Sequence, residues 1–101
     1  MGTRIELQNI FEKLLNSRNV YYQTPENLKM KYPAIRYSKT DINTRYGDNI
    51  KYSSMNRYNV IVIDESPDNP VIQKILEMPY ATYERHYSVD NLNHDVITLY
   101  F

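Results

Sequence analysis

The stretch RYNVIVIDE, residues 57–65, decides the fold. Its four aliphatic residues are consecutive, so they cover both faces of a strand, and strands of this kind lie inside a sheet. The stretch ends in Asp64 and Glu65, as the metal-binding strand of a P-loop ATPase does, but a P-loop needs the pattern G-x-x-x-x-G-K-[ST]. The chain has two glycines, Gly2 and Gly47, which lie far apart. The sequence therefore predicts a central strand and no P-loop.

A helix is predicted before this strand, near the start of the chain. Leu7, Phe11 and Leu14 belong to an apolar stripe with helical spacing. Thr3 is the expected N-cap, and Glu6 follows three residues later, as in a capping box. These features together predict an amphipathic helix.

A second helix is predicted directly after the central strand. The segment SPDNP breaks the strand, and Asp68 or Asn69 can cap a helix whose first residue is Pro70. The predicted elements are, in chain order, a helix at 4–16, strands at 20–23, 34–42, 49–54 and 57–65, a helix at 69–77, a strand at 80–87, a turn at 88–93 and a strand at 94–101.

These elements predict one α+β domain over residues 1–101. The strands at 34–42 and 49–54 are expected to form one antiparallel hairpin, and the last two strands of the chain a second one. The sheet is therefore mostly antiparallel. We expect the two helices to pack on one of its faces.

The composition and the distribution of charge favour contacts between protein surfaces over catalysis. The chain has 11 Tyr, and tyrosine suits protein–protein contacts, although its preference for strands explains the same abundance. The net charge is zero, but residues 1–50 carry eight Lys and Arg against five Asp and Glu, and residues 51–101 carry four against seven. The two halves can pair between copies of the chain, or face each other within one fold.

Several classes of protein are disfavoured by what the sequence lacks. There is no cysteine, so neither a disulfide framework nor a thiolate metal site is expected. The segment MGTRIELQNIF has no long apolar region, so no signal peptide is expected. No apolar run approaches the roughly 18 residues of a membrane span. We therefore expect a soluble protein in a reducing compartment, with no membrane partner.

A metal site remains one alternative. If the last two strands pair around their turn, His86 and His94 both lie near the turn. They could then bind a metal together with Asp90 or Asp95. Two histidines in adjacent strands are more often ordinary polar residues of a sheet, and no metal is predicted.

A nuclease is a second alternative. Asp68 and Glu84 are similar to the Pro-Asp…Glu-x-Lys pattern of metal-dependent nucleases, but His86 stands where that pattern has lysine. The basic and tyrosine residues of KMKYPAIRYSK, 29–39, could follow a nucleic-acid backbone, although the zero net charge argues against it. A nucleophile motif such as G-x-S-x-G is also absent. The sequence predicts neither an enzyme nor a cofactor.

Three segments resemble a family of small virion proteins of tailed phages and prophages of Gram-positive hosts, encoded among the head–tail joining genes. The segments are MKYPAIRYS, YNVIVIDESPDNPVIQKILEMP and YERHYSVDNLNHDVITLYF, and the most specific part is DNLNHDVITLY. The order of elements is also similar to that of siphophage tail terminators, which share an α+β fold.

The resemblance implies a structural role in the virion neck, after assembly in the host cytoplasm. Tail terminators form a ring, usually a hexamer, that ends the tail tube and docks onto the head connector. The expected partners are copies of the chain, the tail tube protein and the head-completion or connector protein, while DNA passes through the lumen without specific binding. The alternative within the same resemblance is a head-side joining or head-closure protein that docks onto the portal.

Three polar regions are the candidate interfaces. They are a predicted hairpin tip at 40–49, the connection at 26–31 and the loop at 88–95. Their candidate residues are Lys39, Asp41, Asn43, Arg45 and Asp48 at the tip, Glu26, Lys29 and Lys31 in the connection, and Asp90, Asn91, Asn93 and His94 in the loop.

Overall fold

The computed structural model describes residues 3–23, 31–42, 56–66 and 68–101. The elements in this part of the chain are α1 (Arg4–Leu15), β1 (Val20–Tyr22), β2 (Ala34–Ile42), β3 (Asn56–Asp64), α2 (Val71–Leu76), β4 (Ala81–Val89) and β5 (Leu92–Tyr100). The predicted α+β class is confirmed. The strand predicted at 49–54, and with it the first predicted hairpin, lies outside the described residues.

The strands form one sheet with the order β1-β2-β3-β5-β4. β1 and β2 run parallel, and the other three pairs of neighbours are antiparallel, so the sheet is mostly antiparallel as predicted. β3 is the middle strand, which confirms the interpretation of its aliphatic run.

The aliphatic run of β3 is enclosed by its neighbours. Val60 lies between Tyr37 of β2 and Ile97 of β5 in the register. Successive side chains of a strand point to opposite faces, and burial extends to both: Val60 is fully buried on one face and Ile63 is only 2% exposed on the other. A slip of one residue would move every one of these side chains to the wrong face.

The core has an unusually aromatic centre. The ring of Tyr37 lies 5.2 Å from that of Phe11, 4.9 Å from that of Tyr22 and 5.9 Å from that of Tyr58. The guanidinium of Arg4 lies 4.6 Å from the centre of the Tyr22 ring. Contacts of this kind stabilise the core beyond the area that they bury.

Gln8 joins α1 to the sheet through hydrogen bonds. The hydroxyl of Tyr37 donates to Gln8 Oε1 at 2.6 Å, and Gln8 Nε2 donates to the carbonyl of Val20 at 3.1 Å. One amide side chain therefore satisfies polar groups of both β1 and β2, which a purely apolar helix face would leave without partners.

The start of α1 agrees with the prediction, and its end lies one residue earlier. Thr3 and Glu6 form the predicted capping box. The helix ends at Leu15 because Asn16 adopts the left-handed conformation, with φ of 58° and ψ of 41°. Asparagine tolerates that conformation better than most residues.

The start of α2 differs slightly from the prediction. Pro70 occupies the N-cap and the helix begins at Val71. Asn69 supplies the expected side chain, since its Oδ1 accepts from the amide of Val71 at 2.9 Å. The buried residues of both helices, Leu7 and Phe11 in α1 and Val71 and Ile75 in α2, belong to one core cluster with residues of the sheet. That both helices cover the same face stays a prediction.

The turn predicted at 88–93 is wrong in its length. β4 extends to Val89 and β5 begins at Leu92, so that the turn consists of Asp90 and Asn91. Their φ angles are 54° and 64°. Two positive φ angles define the tight turn that matches the twist of a hairpin, and Asp and Asn are among the residues that accept them.

Two tyrosines of the core provide a matched test. We expect Tyr37→Phe to lower the free energy of unfolding by about 1 kcal/mol, because it removes the hydrogen bond to Gln8. Tyr58 is equally buried, but its hydroxyl lies near the Asn56 side chain without hydrogen-bonding geometry. Tyr58→Phe should therefore be neutral or stabilising. Urea unfolding measures both, and equal losses would contradict the role of Gln8.

Candidate functional site

The carboxylate of Asp64 organises the loop between β3 and α2. Its Oδ1 accepts from the amide of Ser66 at 3.2 Å, and its Oδ2 accepts from Asn69 Nδ2 at 2.7 Å. Asn69 in turn bonds the first turn of α2. The carboxylate at the end of the central strand thus shapes a turn and supports the start of a helix. This structural role explains the acidic end of the strand without a nucleotide-binding site.

Asn93 fastens the same loop to the β4–β5 hairpin. Its Nδ2 donates to the carbonyl of Glu65 at 3.1 Å. The Oδ1 atom of Asn93 lies 2.9 Å from His86 Nε2, which donates a hydrogen bond to it when that nitrogen is protonated. The same Oδ1 atom accepts a hydrogen bond from the Ser88 hydroxyl at 3.3 Å. Asn93 was expected in a loop as an interface residue, but it lies in β5 and its side chain is occupied within the chain.

The metal site that was considered as an alternative for His86 and His94 is not formed by the residues that the structure describes. His86 pairs with Asp95 in the register, whereas His94 pairs with Tyr87, so the two histidines lie on opposite faces of the sheet. His94 stacks on the Tyr87 ring at 4.7 Å, and its Nδ1 lies 3.2 Å from the Leu92 carbonyl. In the described ranges no group of three His, Cys, Asp or Glu side chains could hold a metal.

Asp95 is the buried polar residue of the described part, at 6% exposure. The hydroxyl of Tyr83 donates to its Oδ1 at 2.8 Å. This hydrogen bond, with a smaller effect of burial, raises the pKa of Tyr83 above its ordinary value. The pair links β4 to β5 beside a bulge, where the register shifts between Tyr83 and Arg85.

The remaining candidate interface residues are only partly placed. The structure leaves Lys31, Lys39, Asp90 and Asn91 exposed, and His94 half-buried. Asp41 lies in β2 opposite Arg57, with its side chain outside the described set. Glu26, Lys29, Asn43, Arg45 and Asp48 lie outside the described residues. The interface assignments themselves stay predictions.

The sequence predicts a strand at 80–87, but it does not predict that this strand, β4, is the most exposed one in the described part of the chain. Among the described strands it lies at the edge of the sheet, it has nine residues, and the five residues from Thr82 to His86 are all exposed. Tyr83 is 43% exposed, Val89 49%, and Tyr80, which precedes the strand, 38%. The segment YATYERHYS does indicate this exposure, because polar residues occur on both faces of the strand and neither face is apolar enough to be buried.

The chain matches no model of a protein family, no curated protein and no solved structure. Within the described ranges, neither helix has the length and apolar character to cross a membrane.

Asn93→Ala tests the connection between the loop and the hairpin. We expect a loss of about 1–2 kcal/mol in the free energy of unfolding, because the Glu65 carbonyl and the His86 and Ser88 side chains each lose a partner. Asn9→Ala, at an exposed position of α1, is the control and should be neutral or slightly stabilising, since Ala favours helix. Chemical unfolding of the two variants measures the difference. Equal stabilities would show that the connection contributes nothing.

Alkaline pH should destabilise the protein. The pKa values of Tyr37 and Tyr58 are raised mainly by burial, and that of Tyr83 mainly by its bond to Asp95. The folded chain therefore keeps protons that the unfolded chain releases, so this stability is complete below about pH 10 and is lost as the pH rises through the higher folded pKa values. Unfolding free energies at several pH values measure the fall, which should be smaller in Tyr83→Phe. A curve that is flat beyond pH 10 would contradict it.

Proposed function

We propose that the chain is a structural protein of the neck of a tailed-phage virion, and more specifically a tail terminator. In this role, copies of the chain form a ring that ends the tail tube and docks onto the head connector. The resemblance implies that the ring is a hexamer. The three resembling segments and the α+β order of elements support the proposal. The protein acts by presenting surfaces, and no bond is made or broken.

The exposed strand β4 is the observation that carries the proposal. An unpaired strand edge offers backbone N–H and C=O groups to another chain. Three of the five large hydrophobic side chains that are exposed in the described residues, Tyr80, Tyr83 and Val89, lie on β4 or beside it. Tyrosines at a strand edge are typical of a surface that another protein covers.

The polar side chains of the described part also favour binding over catalysis. Asp64, Asn69, Asn93 and the Tyr83–Asp95 pair are bonded to groups of their own chain. A catalytic group needs a free position near its substrate. These groups instead fix the loop and the hairpin, so that rigid surfaces are presented to a partner.

The division of charge along the sequence suits a ring. A ring needs one surface of each copy to bind a different surface of the next. Lys31 and Lys39 are exposed in the basic half, and Glu65, Asp68 and Glu77 are exposed in the acidic half. Contacts between such surfaces fix the orientation of neighbouring copies and weaken with salt.

The proposal is tested by measuring the mass of the purified protein at several concentrations and salt conditions, and then with tail tubes of the phage that encodes it. A ring that binds tube ends and stops their growth supports a terminator. Binding to the portal complex alone would instead indicate the head-side joining protein. A monomer that binds neither tail tubes nor the portal complex would contradict the proposal that the chain is a neck protein.

Charge reversal tests the ring contacts. We expect Lys39→Glu combined with Arg45→Glu to leave the fold intact and to lower ring formation at least about tenfold, because like charges then face each other at the contact. Lys13→Glu combined with Lys74→Glu makes the same change of charge on the two helices and should leave the ring unchanged. Sedimentation measures assembly, and circular dichroism checks the fold. Unchanged assembly of the first variant would reject the assignment of this contact.

A further inference from the structure

The edge of β4 has a pattern of faces that is fixed by its pairing with β5. Ala81, Tyr83, His86 and Ser88 lie on the face of Leu99, Ile97, Asp95 and Asn93, and Thr82, Arg85, Tyr87 and Val89 lie on the face of Thr98, Val96, His94 and Leu92. The bulge at Glu84 causes the break in alternation between the two halves of the strand. The order of faces is therefore the same when it is read inward from Ala81 as when it is read inward from Ser88.

This symmetry is what a strand needs in order to pair with its own copy. Two identical antiparallel strands are related by a two-fold axis, and residues opposite each other must point to the same face. In a regular strand any residue can lie at the axis. In β4 the bulge changes this, and the centre that matches the faces of residues 81–83 with those of residues 86–88 lies between Glu84 and Arg85.

We propose that two copies of the chain pair through β4, antiparallel and centred between Glu84 and Arg85. In this register Glu84 lies across from Arg85 of the second copy, and the same contact occurs twice. Opposite charges in directly opposed positions stabilise a strand pair, and like charges destabilise it.

The flanking side chains fit the same register. Tyr80, which precedes the strand, comes level with Val89 of the second copy, so that two of the exposed hydrophobic residues lie at each end of the pair. Tyr83 lies across from His86 of the second copy, and aromatic pairs across strands are favourable. One register thus satisfies the faces, the charges and the apolar side chains at once.

The chemistry of the edge selects a second copy over other partners. Glu84 beside Arg85 leaves no net charge at the centre of the strand, and a nucleic acid would bring phosphates against the glutamate. An unrelated strand would need the reverse order of charges and the same bulge. The chain itself is the partner for which both conditions are met.

The pair is distinct from the ring of the proposed function. A two-fold axis reverses one copy relative to the other, whereas the copies of a ring that docks at one end all point the same way. The pair is therefore the form of the protein before assembly, in which the edges of two copies cover each other. This last step rests on the proposed function, but the pairing itself does not.

The experiment uses two opposite charge reversals. Glu84→Arg alone places arginines across from each other, and Arg85→Glu alone places glutamates across from each other. Each variant alone should dimerise about tenfold more weakly or worse. An equal mixture should form a mixed pair, since every arginine then faces a glutamate. The double variant E84R/R85E should pair with itself as the natural chain does.

Native mass spectrometry distinguishes these species, because the two variants differ in mass. Glu77→Arg and Lys74→Glu are matched controls, since they make the same charge changes at exposed positions outside β4 and should leave the pair intact. A natural chain that stays single, single variants that still pair, or a mixture that does not form mixed pairs would each overturn the proposal. Pairing without any tube-capping activity would reject the ring and keep the pair.

Discussion

The burial of β3 between β2 and β5 is the constraint on which the rest of the structure depends. Its aliphatic side chains are covered on both faces, so its register with both neighbours is fixed by the loss that any slip would cause. That register sets where Tyr37 meets Gln8 and where Asp64 can start the β3–α2 loop. A single strand thus positions both the core and the loop that follows it.

The protein uses its polar groups mainly for its own architecture. Asp64 and Asn93 resemble site residues in the sequence because they are polar and follow or precede apolar strands, but each is bonded within the chain. Charged and tyrosine side chains are left exposed on the surface. This division suits the proposed role of joining other proteins, because the loops that support the surface are held in place by internal bonds.

The sequence predicts the parts of the fold that local patterns determine. The central strand, the capping box at Thr3 and Glu6, and the bounds of β2 all follow from periodicity and capping chemistry, which depend on neighbouring residues. The tight turn at Asp90–Asn91 was not predicted, because polar residues around it hide how far the strands continue. The bulge at Glu84 and the burial of Asp95 depend on pairing between distant segments, and no local pattern indicates them.

The position of Gln8 has a consequence for the motions of the molecule. The three-residue strand β1 is too short to be stable alone, and its carbonyl at Val20 is bound to a side chain of α1. We therefore expect the helix and this strand to open together as one cooperative unit, and β3 to open more slowly. The amide protons of β1 should consequently exchange with deuterium from solvent at the same rate as those of α1, although β1 belongs to the same sheet as β3.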